Sequence, residues 1–146
     1  MAKYNGWLGV PDNYREYAGF VYVITCKINN RMYIGKKLFW NKIRRKPLKG
    51  KSRMRISKKE SDWRNYYGSS RELLEDIEKL GEQNFTRQII NCYMSKSECS
   101  YYELKEQMSR DVLGVEDLKN RFKYYNNMIN VRIGGGGSCR LGKQTR

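Results

Sequence analysis

Residues 20–35 read Phe-Val-Tyr-Val-Ile-Thr-Cys-Lys-Ile-Asn-Asn-Arg-Met-Tyr-Ile-Gly. Two runs of β-branched and aromatic residues, Phe20–Thr25 and Met32–Ile34, flank Asn29-Asn30. Such side chains suit a pleated, half-buried surface. Asn tolerates the left-handed backbone that tight turns require, so the stretch predicts an antiparallel hairpin. That turn would bring Tyr22 and Tyr33, eleven positions apart, close enough to serve one site. The same pattern also describes an ordinary hairpin with two tyrosines in a small core.

The chain has 146 residues, which suits one domain (1–146) with a modest core. Lys and Arg number 30 against 15 Asp and Glu, a net charge of +15. An excess of this size is the footprint of a polyanionic partner, most often nucleic acid. No apolar run approaches the ~20 residues of a membrane span. Met1–Val10 also lacks the apolar centre of a signal peptide, so no membrane role is expected. Histidine is absent, which removes imidazole bases, Ser-His and Cys-His pairs and histidine metal sites. A catalyst built from this chain must use Tyr, Lys, Arg or carboxylates, with a metal ion supplying further charge. Cys26, Cys92, Cys99 and Cys139 show no Cys-x-x-Cys spacing. They read as the free thiols of a reduced, cytoplasmic protein.

Residues 1–18 show no clear period and predict an irregular arm that packs Tyr4, Trp7 and Tyr14 on the hairpin. The segment Lys36–Lys59 contains no acid, and twelve of its 24 residues are basic: Lys36, Lys37, Lys42, Arg44, Arg45, Lys46, Lys49, Lys51, Arg53, Arg55, Lys58 and Lys59. Pro47 and Gly50 interrupt any long helix, so this is expected as a basic insertion loop. A solvated loop is one reading. Strong self-repulsion without counter-charge favours a loop that contacts phosphates. Ser69 with Glu72 gives a capping box, followed by Leu73, Leu74, Ile77 and Leu80 on one face and Gly81 as the stop. Its acidic outer face (Glu72, Glu75, Asp76, Glu78) should point away from a polyanion. Phe85–Tyr93 reads as a third strand. Ser95 with Glu98 caps a second helix reaching about Leu113, with an apolar stripe Tyr101, Leu104, Met108, Val112. A short apolar segment, 124–133, precedes a glycine-rich basic tail (134–146) with Arg140, Lys143 and Arg146 as phosphate contacts.

The hairpin resembles the paired strand motifs of the GIY-YIG nuclease family. Tyr33-Ile34-Gly35 stands as the second motif; Phe20-Val21-Tyr22 replaces Gly-Ile-Tyr in the first, with Gly19 one place early. The Tyr66-x-Gly68-Ser69 segment before a helix, the Gly81-x-x-x-Phe85 turn and the strand after it extend the resemblance. It implies an α/β (α+β) domain with a small, mainly antiparallel sheet of about three strands flanked by helices. It also implies a divalent-metal-dependent DNA endonuclease similar to phage-encoded or homing-type enzymes.

The family uses two tyrosines, an arginine, a metal-binding glutamate and often an asparagine. The tyrosines map to Tyr22 and Tyr33, one as base and one orienting water or phosphate, with Lys36, arginines and metal lowering the phenol pKa from its usual ~10. Lys36 follows the second motif and would hold phosphate or support the tyrosine. Glu103 is the implied ligand for Mg²⁺ or Mn²⁺, a hard cation that prefers carboxylate oxygen; Glu106, one turn on, is the rival. The asparagine is Asn126, with Asn130 as the alternative. The arginine is assigned to Arg64, beside Trp63, over Arg44, Arg45 and Arg71. Double-stranded DNA is the expected partner, contacted by Lys37, Lys42, Arg44, Arg45, Lys46, Lys49, Lys51, Arg53, Arg55 and Arg71. No separate reading domain fits in the remaining residues, so specificity is modest or comes from a homodimer. A non-catalytic DNA- or RNA-binding protein is the alternative function, and it predicts no effect of Glu103→Ala.

Overall fold

The computed structural model describes residues 4–130 and residue 133. Val131, Arg132, the Gly134–Gly137 run, Cys139 and the tail cations Arg140, Lys143 and Arg146 lie outside the described residues. In chain order the elements are β1 (Trp7–Leu8), β2 (Gly19–Cys26), β3 (Met32–Leu38), β4 (Trp40–Arg45), β5 (Arg55–Glu60), α1 (Arg71–Leu80), β6 (Phe85–Tyr93) and α2 (Lys96–Ser109). The main sheet has the order β1-β6-β2-β3, with β2 antiparallel to both β3 and β6. The hairpin forms as the 20–35 pattern predicts. Asn30 takes φ +60, and the Asn29 side chain accepts the Arg31 N–H at 2.9 Å.

β2 is buried on both faces. Phe20, Tyr22 and Ile24 point into an aromatic core with Trp7, Tyr14, Phe39 and Trp63; α1 adds Leu73 and Ile77 to it. Val21 faces the opposite side, with Ile34, Val112 and Tyr124 under α2. Trp7 packs edge-on against Phe20 and Tyr22, at 5.1 and 5.5 Å between ring centres. Edge-to-face pairs of this kind add about 0.5–1.5 kcal/mol beyond the area they bury. The arm expected to be irregular therefore does more than pack: it adds β1, a short strand parallel to β6, and the main sheet has four strands rather than three.

The segment expected as a basic loop is a second sheet. β4 and β5 pair antiparallel from Trp40↔Glu60 to Arg45↔Arg55, and the tip between them holds Pro47 and Gly50. Charge did not prevent strand formation because the long basic side chains project into solvent while the backbones pair. Phe39, at its root, is completely buried.

Both helices differ from expectation in detail. Ser70, not Ser69, caps α1, accepting the Leu73 N–H at 3.3 Å. Ser69 is unavailable because its hydroxyl meets that of Tyr33 at 3.2 Å. Leu74, expected in the stripe, is exposed. On the acidic face, Glu72 pairs with Arg31 and Asp76 accepts the Tyr125 hydroxyl, both at 2.7 Å. In α2, which ends at Ser109 rather than near Leu113, the expected stripe holds only in part: Val112 beyond the helix is buried and Leu104 half-buried, but Tyr101 and Met108 are exposed, while Cys99, Ser100 and Gln107 are buried and Glu103 is nearly so. This helix turns a polar face inward because that face lines a cavity. No described helix is long and apolar enough to cross a membrane.

Candidate active site

The cavity sits at the free edge of β3. Residues 123–126 run along the first part of that edge: the Met32 N–H donates to Lys123 O at 2.9 Å, and the Tyr125 N–H to Met32 O at 2.7 Å. The next rung is made by a side chain. Asn126 Oδ1 accepts the Ile34 N–H at 3.0 Å and Nδ2 donates to Ile34 O at 2.9 Å. Gln107 Nε2 reaches the same carbonyl at 3.0 Å. Beyond this latch the edge opens into a cavity of about 390 Å³.

Five of the expected residues meet there: Tyr22, Tyr33, Lys36, Glu103 and Asn126 line the cavity, and Asn130 forms its exposed rim. Tyr22 stands across from Gly35 on the paired strand, and its ring centre lies 6.2 Å from that of Tyr33. Gly35 makes this possible. A Cβ at that position would fall 2.5 Å from the Tyr22 hydroxyl and 3.0 Å from the Tyr33 ring. Gly68 closes the far side, at φ +88, with its missing Cβ 3.2 Å from Tyr33 and 3.4 Å from the Tyr22 hydroxyl.

Lys36 Nζ lies 3.6 Å from Glu103 Oε1, with only 13% of the Glu103 side chain exposed. Burial raises the Glu103 carboxyl above its ordinary range, and Lys36 pulls it back. Burial holds the Tyr22 phenol well above the ordinary tyrosine value, and Tyr33, Tyr66 and Glu103 push it the same way. Burial also raises Tyr33, opposed by its hydrogen bond with Ser69. The expectation that neighbouring cations lower the phenols is therefore corrected: in the protein alone both stay protonated at neutral pH. Tyr33 is the less strongly perturbed and the more exposed of the two.

Among the described residues no arginine lines the cavity. Arg64 donates to the Tyr14 hydroxyl at 2.8 Å, pairs with Glu60 at 3.4 Å and lies against Tyr4, Tyr14 and Trp63. These partners hold its guanidinium away from the cavity. Arg44 and Arg45 lie out on β4, and Arg71 is exposed at the start of α1. Lys37 is turned to Asp62 at 2.7 Å and lies over the Tyr66 ring at 4.2 Å. Glu106 pairs with Arg110 at 3.1 Å and is not among the cavity residues.

Tyr66, Ser69 and Gln107 line the cavity without having been singled out for it. Gln107 had a readable signal: it lies one helical turn after Glu103, on the same face. Its Oε1 is buried with no hydrogen-bond donor among the described residues. The loop carrying Tyr66 is held by Arg87, 2% exposed, which donates to Tyr66 O at 2.7 Å and Arg64 O at 3.1 Å and also to Asn5 O. Its guanidinium lies between the Trp7 and Tyr67 rings, at 4.7 and 4.0 Å.

The donor set suits a hard cation. The walls offer one carboxylate, phenol and hydroxyl oxygens and an unpartnered amide oxygen. Among the described residues no three carboxylate or thiol groups gather, so Glu103 would be the sole charged ligand and water would fill the other positions.

A family model described as "Putative endonuclease segE, GIY-YIG domain" matches residues 5–129. No curated protein and no solved structure gives a match. The matched stretch includes every cavity residue except Asn130. With the match running through both tyrosine motifs, the helices and the Asn126 latch, the chain belongs to the GIY-YIG endonuclease family.

Proposed function

We propose that the protein is a divalent-metal-dependent endonuclease that hydrolyses phosphodiester bonds of double-stranded DNA. The observation that carries this reading is convergence: Tyr22, Tyr33, Lys36, Glu103 and Asn126, drawn from four separate stretches of the chain, share one cavity. The net charge of +15 supports a polyanionic substrate.

Glu103 would hold Mg²⁺ or Mn²⁺. When bound, that ion supplies charge that stabilises the pentacovalent phosphate and lowers the proton affinity of nearby phenols. Lys36 sits where its ammonium can meet a phosphate oxygen, exchanging part of its contact with Glu103 for the substrate. Tyr33 would act as base only as its phenolate, having first released its own proton to bulk water with the cation bound; its phenolate costs less than that of Tyr22, and Ser69 is in place to donate to it. Tyr22 keeps its proton and donates to water or phosphate. Asn126 holds the edge of β3 in register, so that Tyr33 and Lys36 stay on their two sides of the strand. One such cavity cuts one strand at a time, so a double-strand break needs two copies or two encounters.

The test is incubation of supercoiled plasmid and a structured RNA with protein and Mg²⁺, with and without EDTA. Nicked and linear DNA that vanishes with EDTA is the expected result. DNA left intact beside salt-sensitive binding would replace catalysis with simple nucleic-acid binding.

A further inference from the structure

The β4–β5 ribbon contains ten cations from Lys42 to Lys59, and among the described residues none of them makes an ion pair. Other basic residues of the fold do pair: Arg15, Arg31, Lys36, Lys37, Arg64 and Arg110 each have a carboxylate within 3.7 Å. Two cross-strand positions set like charges directly opposite one another, Lys42↔Lys58 and Arg45↔Arg55. Such pairs destabilise a sheet, and a lone two-stranded ribbon is marginal to begin with. Ile56, on the same strand, is left 64% exposed. Among the described residues no carboxylate pairs with these ten cations, Glu60 at the root being turned to Arg15 and Arg64, so the ribbon's shape makes sense against an external polyanion.

Cations project from both faces. Strand alternation puts Lys42, Arg44 and Lys58 on one face and Arg45, Arg55 and Lys59 on the other. Six residues per strand make an arm of roughly 20 Å. The ribbon leaves the body directly after β3, which carries Tyr33 and Lys36, and returns directly before the loop with Tyr66 and Ser69. A polymer on the arm therefore passes close to the cavity.

We propose that this ribbon lies in the major groove of duplex DNA beside the cut site, one face toward base edges and the other face and the tip toward phosphates. The major groove, about 12 Å wide, admits a two-stranded ribbon without distortion, whereas the minor groove, about 6 Å, takes one only when the duplex is bent and the groove opened. A single strand offers no groove at all. The proposal takes the polymer from the endonuclease reading but concerns binding, which can be measured without catalysis.

The experiment is fluorescence anisotropy in EDTA with a duplex of about 30 base pairs, titrated with salt. The chains compared are wild type and two triple variants, Lys42→Gln/Arg44→Gln/Lys58→Gln and Arg45→Gln/Arg55→Gln/Lys59→Gln. Each triple should lower the slope of log affinity against log salt by up to about 3. Methyl green, which fills the major groove, should displace the wild type, and netropsin, which fills the minor groove, should not. The first triple removes an opposed like-charge pair and should melt no lower than wild type; the second removes one too but also gives up the Arg45–Ser57 and Arg55–Lys46 hydrogen bonds, 3.1 Å each, so the charge-keeping lysine variant, which loses the same bonds, is its folding control. Arg45→Lys with Arg55→Lys keeps the charge and should keep the slope, which separates charge from folding. Unchanged slopes in both triples, displacement by netropsin alone, or equal binding to a single strand of the same length would each overturn the proposal. Failure to cut DNA with Mg²⁺ while these binding results hold would instead remove the catalytic reading and leave the ribbon assignment standing.

Discussion

The Tyr22 hydroxyl passes directly over Gly35, so that a single methyl group at position 35 would lie 2.5 Å from it. This explains why the second motif ends in glycine: the residue facing Tyr22 across the hairpin must have no side chain if both phenols are to share one cavity. Gly35→Ala should cost about 1–3 kcal/mol of stability through overpacking. It should also reduce cleavage about 10²-fold, since a displacement near 1 Å at a reacting group is worth that much. Thermal melting and single-turnover cleavage on the same variant check the two parts. Full activity with lowered stability would mean that Tyr22 has no role beyond the core.

The Ile34 backbone is held by two side-chain amides, from Asn126 and Gln107. Asn126→Ala leaves the buried Ile34 N–H without its acceptor, a cost of about 1–3 kcal/mol. Hydrogen exchange at the Ile34 amide should accelerate in step with that loss, while amides in β2 keep their protection. Unchanged exchange at Ile34 would show that the latch does not hold the strand edge.

Much of this architecture is legible in the residues. The 20–35 pattern carries the hairpin, Phe85–Tyr93 reads as a strand and emerges as one with the same bounds, and Glu103 was placed on the helix that meets the hairpin. What escaped reading follows from tertiary context. β1 is two residues long and exists only because β6 offers it an edge. The ribbon was obscured by its charge, which dominates composition but leaves backbone pairing untouched. The apolar stripe of α2 holds at Leu104 and Val112 but not at Tyr101 and Met108, because the helix also buries Glu103 and Gln107 at a cavity. Arg64, expected at the site beside Trp63, is instead held by Glu60 and by Tyr14, a partner far from it in sequence that no local pattern reveals.

Arg87 acts as the clamp of the Tyr66 loop, donating to three backbone carbonyls. Arg87→Met should leave those part-buried acceptors without their donor and lower stability by about 1–3 kcal/mol. In urea this should appear as a lower midpoint at an unchanged slope. A change under about 0.5 kcal/mol, the usual range for surface substitutions, would rule out the clamp.

Glu60 makes the root of the ribbon sensitive to pH. Burial raises its carboxyl, but hydrogen bonds from Trp63 and Tyr14 and the charges of Arg64 and Arg15 outweigh it, so its pKa is lowered. A lowered carboxyl contributes stability that is present above the unfolded pKa and lost as pH falls through the folded one. The melting temperature of wild type should therefore exceed that of Glu60→Gln at pH 7, with the gap closing as pH drops below the ordinary glutamate range. A gap that stays constant down to pH 3 would contradict this assignment.

The most direct test of the proposed metal site is single-turnover cleavage of duplex DNA with Mg²⁺ by wild type and Glu103→Ala, each at saturating protein. If Glu103 anchors the ion as proposed, its loss should remove several kcal/mol of transition-state stabilisation, a fall of roughly 10³-fold, with duplex affinity in EDTA unchanged. Cleavage by Glu103→Ala at the wild-type rate, still abolished by EDTA, would place the metal elsewhere and contradict the account.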